Sequence, residues 1–365
     1  MQILNLAKPI IFRMKKINER PPGLLIDICL NCNSKCIMCG ASRDNWNFTN
    51  KSMNIEEFKK IINRINPYAV QICPTGEPFM NPDVIKMFKY LKEKDINSTT
   101  STNGTLLFKD NTPEQIIQSG LKQIRFSIDG ATINTYRKIR GIKAFDLVIN
   151  NLQKLIFTKK KFQSLTPEIR IDFTVQSANI HEIPQIINLC HQLGVQKINF
   201  RLVNLYRCAS EQKKIELTKN LDEKEFVLRM IKEGIKKSKF LKIDTNLAEF
   251  KKYFLKYYKK PISNKPVCYM PWIGLWSDID GNITPCSMME FNPELNGFVG
   301  NAMTGKELFW NNNKIQQMRT IFRKKKNYQE YECCSKCTAS YSIVDIIFMF
   351  KKNVNLKEYF LQKNS

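Results

Sequence analysis

Short apolar runs alternate with amphipathic segments through the first two-thirds of the chain, and the period of each segment says what it folds into. Residues 24–28, 69–72, 98–102, 123–128, 169–175 and 197–202 are compact runs rich in β-branched, apolar or hydroxyl side chains, and each reads as a strand. Between them, residues 55–65, 84–91, 113–117, 145–156 and 183–193 carry apolar positions at helical spacing, with Thr112 as an N-cap for the third. Such alternation predicts a parallel sheet with crossover helices. Six units fall short of a closed eightfold barrel, so the expected fold is α/β, a partial, TIM-like (β/α)6 barrel over residues 1–217. Right-handed crossovers place the carboxyl ends of all the strands on one side, where such folds carry their chemistry.

The texture then changes. Residues 218–260 form lysine-rich helical patterns, read as a helical linker, and Pro261 and Pro266 mark its end. Residues 261–340 hold three of the four tryptophans, a group of cysteines and the turn Asp280-Gly281-Asn282, and are expected to form a small cysteine-rich domain. In the tail, 341–365, the apolar run 343–350 is short and carries Asp345, which suits a packed C-terminal helix. No stretch approaches the ~20 apolar residues of a spanning helix. Lys8 and Pro9 interrupt the start of the chain, which has no signal-peptide pattern. The expected location is therefore the cytoplasm. No internal repeat is visible.

Charge changes this picture little. The net charge of +25 over 365 residues invites an anionic partner. The lysines, however, are scattered over helix positions facing solvent, and lysine, asparagine and isoleucine are abundant together, as a biased genome produces. No aromatic-plus-basic recognition motif accompanies them, so no nucleic acid partner is expected. The twelve cysteines change more. Most lie in two clusters, and without a secretion signal they point to metal rather than to disulfides.

The first cluster, Cys32-Asn33-Ser34-Lys35-Cys36-Ile37-Met38-Cys39, has the spacing C-x3-C-x2-C directly after the first strand. Three thiolates in one loop can hold three irons of a [4Fe–4S] cube. The absent fourth cysteine leaves one iron open to a small bidentate ligand. A zinc site would want four ligands, usually in C-x2-C pairs. Cys29, at the strand end, reads as a small core hydrophobe. Further polar motifs end the next strands: Thr75-Gly76-Glu77-Pro78, Thr102-Asn103-Gly104 and Ser127-Ile128-Asp129-Gly130, with Arg140-Gly141 following. Each alone is ordinary βα-turn chemistry. Together they describe one pocket at one end of one barrel.

On these residues the chain resembles the radical S-adenosylmethionine (SAM) superfamily, whose signature is C-x3-C-x-Φ-C, with Met38 at the Φ position. The resemblance spans about residues 20–340. It implies an enzyme, a radical SAM oxidoreductase or maturase, that cleaves SAM at a [4Fe–4S] cluster held by Cys32, Cys36 and Cys39. The resulting 5′-deoxyadenosyl radical then abstracts a hydrogen atom. It implies that Met38 sits beside the adenine. Gly76, Glu77 and Pro78 match the family's G-G-E-P segment, which meets the methionyl amino group; Thr75 replaces the first glycine. Asn103 lies in the same pocket, and Ser127 near the ribose and carboxylate. Arg140 either pairs with the SAM carboxylate or lies on the surface. A reductant such as flavodoxin or ferredoxin is the expected partner.

The second cluster comprises Cys268, Cys286 and the pair Cys334-x2-Cys337, with Cys333 as an alternative to Cys334. Four thiolates close a site completely, and spacing alone admits a zinc knuckle as well. The pattern looks like the SPASM or twitch extension of radical SAM enzymes, and a further C-x5-C-x3-C run is absent, which implies one auxiliary [4Fe–4S] cluster. Cys73, Cys190 and Cys208 have no partner spacing. The leading reading is a radical SAM enzyme acting on a small polar metabolite or a peptide by oxidation, epimerisation or cross-linking. The alternative is a zinc-dependent nucleic-acid-binding protein, and it leaves C-x3-C-x2-C unexplained. The first cluster begins so early that no separate leader-peptide-binding domain is expected before it. The sequence nominates no proton acceptor.

Overall fold

The computed structural model describes residues 13–39, 50–72, 75–108, 112–203, 217–257, 268–286, 297–305, 309–323 and 334. Six strands match the apolar runs: β1 (Gly23–Ile26), β2 (Ala69–Ile72), β3 (Asn97–Thr102), β4 (Gln123–Ser127), β5 (Glu168–Val175) and β6 (Lys197–Leu202). The helices between them are α1 (Ile55–Ile65), α2 (Val84–Glu93), α3 (Pro113–Gln118), α4 (Ile133–Arg140), α5 (Phe145–Lys161) and α6 (Ile183–Leu193). Asn54 starts α1 with a full capping box: its side chain accepts from the Glu57 N–H while the Glu57 carboxylate takes the Asn54 N–H. Such caps stabilise a helix by about 1 kcal/mol. Thr112 caps α3 in the same way with Gln115.

The six strands lie parallel in sequence order, each paired with the next. This is the partial (β/α)6 barrel the pattern predicts. Two elements within it carry no apolar signal. Helix α4 buries only Tyr136, Ile139 and Arg140, and its ends are set by Thr132 as N-cap and Gly141 in the left-handed region beyond its last residue. A two-residue strand, β7 (Asp244–Thr245), adds to β6 between the lysine-rich helices α7 (Lys224–Phe240) and α8 (Leu247–Tyr257).

The C-terminal region joins the same sheet. After the short helix α9 (Met270–Ile273), strand β8 (Gly274–Ser277) pairs in parallel with β1. Strand β9 (Asn282–Thr284) returns antiparallel to β8, and β10 (Gly300–Asn301) pairs with β9. The ten-stranded order is β10-β9-β8-β1-β2-β3-β4-β5-β6-β7. The expected Asp280-Gly281-Asn282 turn is the β8–β9 connection: Gly281 has φ 77°, and the Asp278 carboxylate accepts from the Asp280 and Asn282 N–H groups. Helix α10 (Asn313–Arg323) returns to the start of the chain. Its buried Arg319 donates to the carbonyls of Pro271 and Lys15 and stacks on Trp310. The last expected helix, 343–350, and the boundary prolines lie outside the described residues.

Strand alternation divides the sheet into two faces. Ile124, Phe126 and Ile128 are fully buried, as are Ile171, Phe173 and Val175 of β5. Phe126 and Val148 of α5 both crowd Gly104, so this is the face the helices cover. The intervening side chains, Arg125 and Ser127 of β4 and Arg170, Asp172 and Thr174 of β5, take the opposite face.

Candidate active site

The cysteine loop leaves β1 and is held from two sides by backbone bonds. On one side, the Gly76 N–H donates to the Cys29 carbonyl at 3.1 Å and the Glu77 N–H to the Asn31 carbonyl at 2.7 Å. A β-carbon on Gly76 would lie 2.0 Å from the Asn31 carbonyl oxygen, so only glycine permits this approach. On the other side, the end of α4 grips the loop: the Lys35 N–H donates to the Arg140 carbonyl and the Ile37 N–H to the Ile139 carbonyl. Gly141, at φ 69°, brings its α-carbon against the Lys35 carbonyl, and a β-carbon there would sit 2.4 Å away.

Side chains complete the seat. Asn103, at the end of β3, is buried, and its amide donates to Asn33 Oδ1 at 2.8 Å and Ser34 Oγ at 3.1 Å and lies 3.9 Å from Cys32 Sγ. Glu77 is also buried. One carboxylate oxygen accepts the Thr102 hydroxyl at 2.6 Å and the Phe79 N–H at 3.3 Å; the other accepts the Asn103 N–H at 2.7 Å. Burial raises the Glu77 pKa, and these bonds with the nearby Arg140 oppose the rise. The carboxylate thus ties the end of β2 to the end of β3, with lone-pair capacity left on its second oxygen for one more donor. Pro78 opens the buried turn Pro78–Met80 that Glu77 caps.

Arg140 lies inside the protein, not on its surface. Its guanidinium pairs with the buried Asp129 at 3.0 Å. Asp129 also accepts the Thr174 N–H at 2.6 Å, which fixes β4 to β5. Burial pulls the arginine pKa down, but Cys36 and Asp129 beside it prevail and hold it raised. Burial pushes the Cys36 thiol up to about 12 and raises Cys32 as well, with Arg140 opposing both. Cys39 raises both further, and Cys32 also raises Cys36. Burial therefore favours the proton on these thiols until a cation displaces it. Among the described residues no three His, Cys, Asp or Glu side chains already converge on one metal position. The three thiols are neighbours in one clamped loop rather than a closed ligand set.

Met38 packs toward the ends of β5 and β6, against Val203 and Leu217. There Gln176, fully buried, turns its amide nitrogen toward Met38 Sδ at 3.8 Å, and its Oε1 has no partner among the described residues. The sequence reading passes over Gln176; its signal was a polar residue ending an apolar strand. Ser127 closes β4, half-buried, directly across from Asp172. The first set, from Cys32 to Arg140, is thus gathered at the carboxyl ends of β1 to β5. Of the second set, Cys268, Cys286 and Cys334 pack, partly buried, against the main core. Cys337, Cys333, Cys73 and Cys208 lie outside the described residues. Cys29 and Cys190 are fully buried core residues.

The family model of the Radical SAM superfamily matches residues 26–156, from the end of β1 to within α5. This segment carries the superfamily's cysteine loop and the strand-end motifs around it. Proteins of that superfamily are enzymes that work with SAM and a [4Fe–4S] cluster. A probable GTP 3′,8-cyclase of Methanocaldococcus jannaschii is 27% identical over 289 residues, covering 76% of this chain and 88% of that protein. The Fe-coproporphyrin III synthase of Methanosarcina barkeri is 28% identical over 185 residues, 50% of this chain and 44% of that protein, so the match spans less than half of that relative. In structure, Streptococcus suis SuiB bound to S-adenosylmethionine superposes with a TM-score of 0.61 at 17% identity, covering 88% of this chain and 73% of SuiB. AnSMEcpe with bound AdoMet and the Kp18Cys peptide gives a TM-score of 0.58 at 16% identity, covering 86% of this chain and 88% of that one. At these identities the two structures bear on the fold alone. The radical SAM residues present fit the group the family carries: a clamped three-thiol loop, a glycine cradle at Gly76 and an orphaned amide oxygen at Gln176. Among the described residues no helix is long and apolar enough to cross a membrane.

Proposed function

We propose that Cys32, Cys36 and Cys39 hold the SAM-cleaving [4Fe–4S] cluster and that the enzyme abstracts hydrogen from a small polar metabolite or peptide, ending in oxidation, epimerisation or cross-linking. When bound, cluster and SAM supply a reactive adenosyl radical. The protein's own residues supply position. Gly76 and Glu77 carry the amino-group side of SAM, Met38 and Gln176 the adenine side, and Ser127 the ribose. Asn103 orients the cluster loop through Asn33 and Ser34. Arg140 is held by Asp129 and serves as a fixed positive charge behind the thiols. Cys268, Cys286, Cys334 and Cys337 hold an auxiliary [4Fe–4S] cluster of the SPASM or twitch type. A flavodoxin or ferredoxin delivers the electron, and the thiol chemistry suits a reducing, cytoplasmic setting.

The observation that carries this reading is the two-sided backbone clamp on the cysteine loop, by Gly76–Glu77 and by Ile139–Gly141. A loop of core thiols would need no such clamp; a loop that presents three ligands to one cluster does. The relatives' names divide between GTP 3′,8-cyclisation and Fe-coproporphyrin III synthesis, so likeness supports the class of chemistry and leaves the substrate open. The test is metal and acid-labile sulfide analysis after anaerobic purification. About eight irons with matching sulfide are expected for two clusters. A colourless protein carrying zinc alone overturns the proposal.

A further inference from the structure

Helix α4 meets the cysteine loop around one residue. The N–H groups that its last carbonyls accept are those of Lys35 and Ile37, on either side of Cys36. Cys36 is buried there, whereas Cys32 and Cys39 are partly exposed. Residues four apart share one face of a helix. Tyr136 and Arg140 of α4 are such a pair, and both are buried. Arg140 gives Nη1 to Asp129 at 3.0 Å. The Tyr136 hydroxyl has no hydrogen-bond partner among the described residues. Its ring is held edge-on to Phe145, with centroids 5.5 Å apart. Gly130 packs so close behind it that a β-carbon there would lie 2.4 Å from the Tyr136 backbone nitrogen. An unbonded buried hydroxyl costs about 1–3 kcal/mol, and phenylalanine would fill the same space without it. Asp129 is no ready acceptor, since its two oxygens already take Arg140 and the Thr174 N–H. Burial raises the phenol to about 12; Arg140 opposes the rise, and Cys36 adds to it more than Asp129 does. The phenol is thus a protonated donor, fixed in place beside Cys36 and short of an acceptor.

We propose that Tyr136 is a positioning residue for the first cluster: its O–H donates to the Cys36 sulfur once iron has displaced the thiol proton, and this bond raises the cluster's reduction potential. The proposal rests on the reading of Cys36 as a cluster ligand. A thiol is a weak acceptor; an iron-bound thiolate carries charge and is a better one. Hydrogen bonds to the sulfurs are among the features that set the potential of such clusters. The bond is stronger to the reduced, more negative cluster, so it favours reduction. Arg140, on the same face of α4, acts in the same sense as a fixed positive charge. Tyr136 keeps its proton throughout and is not oxidised; the electron comes from the reductant.

The test is a redox titration, read by EPR, of the full-length enzyme reconstituted anaerobically without SAM. The first cluster's signal is the one that Cys36→Ala removes. Tyr136→Phe should keep its iron and lower the midpoint of that signal. A tenfold loss in the equilibrium constant for reduction is expected, about 59 mV for a one-electron couple. After reconstitution in deuterium oxide, pulsed EPR of the wild type should show an exchangeable deuteron coupling that Tyr136→Phe lacks. Placing 3-fluorotyrosine at position 136 keeps the ring and makes the hydroxyl a stronger donor, so the midpoint should rise. Damage to the fold does not produce that opposite sign. An unchanged midpoint in an iron-replete Tyr136→Phe protein overturns the proposal. Should Tyr136→Phe lose its iron, the fluorinated protein decides, and an unchanged midpoint there overturns it equally. Iron and signal untouched by Cys36→Ala defeat the ligand reading and this proposal together. A signal that Cys36→Ala removes but Tyr136→Phe leaves at the wild-type midpoint defeats this proposal alone.

Discussion

The two cysteine regions both adjoin the same sheet, the first directly after β1 and the second flanking β8 and β9, yet they are built on different principles. The first is a loop locked by backbone-to-backbone bonds from two separate turns, with glycines at both points of contact. The second flanks the β8–β9 hairpin, whose turn is held by one carboxylate, Asp278; Cys268, Cys286 and Cys334 pack partly buried against the core. The lesson is about tolerance. A site that must leave one coordination position open needs its ligands fixed from outside, because the metal cannot do it alone. A site closed by four thiolates draws its order from the metal itself. The first region should therefore fail when its scaffold is touched; the second should fail only when a ligand goes.

The sharpest way to break the comparison is Gly76→Val. A β-carbon there drives into the backbone of Asn31, so the loop must leave its seat. Iron at the first site should be lost almost entirely while the C-terminal iron stays, leaving about half the total; an unchanged iron count contradicts the clamp. Next is Asp129→Asn, which strands the buried Arg140 charge. Removing one partner of a buried pair costs about 3–5 kcal/mol, measurable as a lower denaturation midpoint. A midpoint unchanged from wild type would mean that the pair does not bear on the fold. Glu77→Ala should be milder. It removes an acceptor for the Thr102 hydroxyl and the Asn103 N–H, so SAM affinity, read from the cluster's EPR signal, should fall by about 1.5–3 kcal/mol. Cys286→Ala should have the smallest effect on the first site. The C-terminal iron should go, yet a substrate-free yield of 5′-deoxyadenosine should remain measurable; its complete loss would show the two regions to be one.

Much of this was legible in the chain. Five of the barrel strands, and the helices α1 and α6 to the residue, follow from apolar periodicity, and β3 from its run of β-branched and hydroxyl side chains, because each buries one face against the core. Helix α4 escaped because Ile133-Asn134-Thr135-Tyr136-Arg137-Lys138-Ile139-Arg140 buries little apolar surface; only its Thr132 cap and Gly141 stop announce it. That omission mattered, since α4 is half of the clamp. Motif position brought Glu77 and Arg140 to the strand ends beside the cysteine loop, but their partners were invisible. Whether a carboxylate meets a ligand or a neighbouring strand depends on register, and register is a tertiary property. The pairing of the strand arginines was hidden for a related reason. Arg125, Arg170 and Arg201 are far apart in the chain, and only parallel pairing brings them to one surface.

The central claim is that three cysteines of one clamped loop hold the cluster that cleaves SAM. It is tested most directly by measuring 5′-deoxyadenosine formed from SAM with dithionite, comparing wild type with the variant in which Cys32, Cys36 and Cys39 are all alanine. The account predicts product from the wild type and none from the variant, with the C-terminal iron retained. Undiminished product from the triple variant would contradict it.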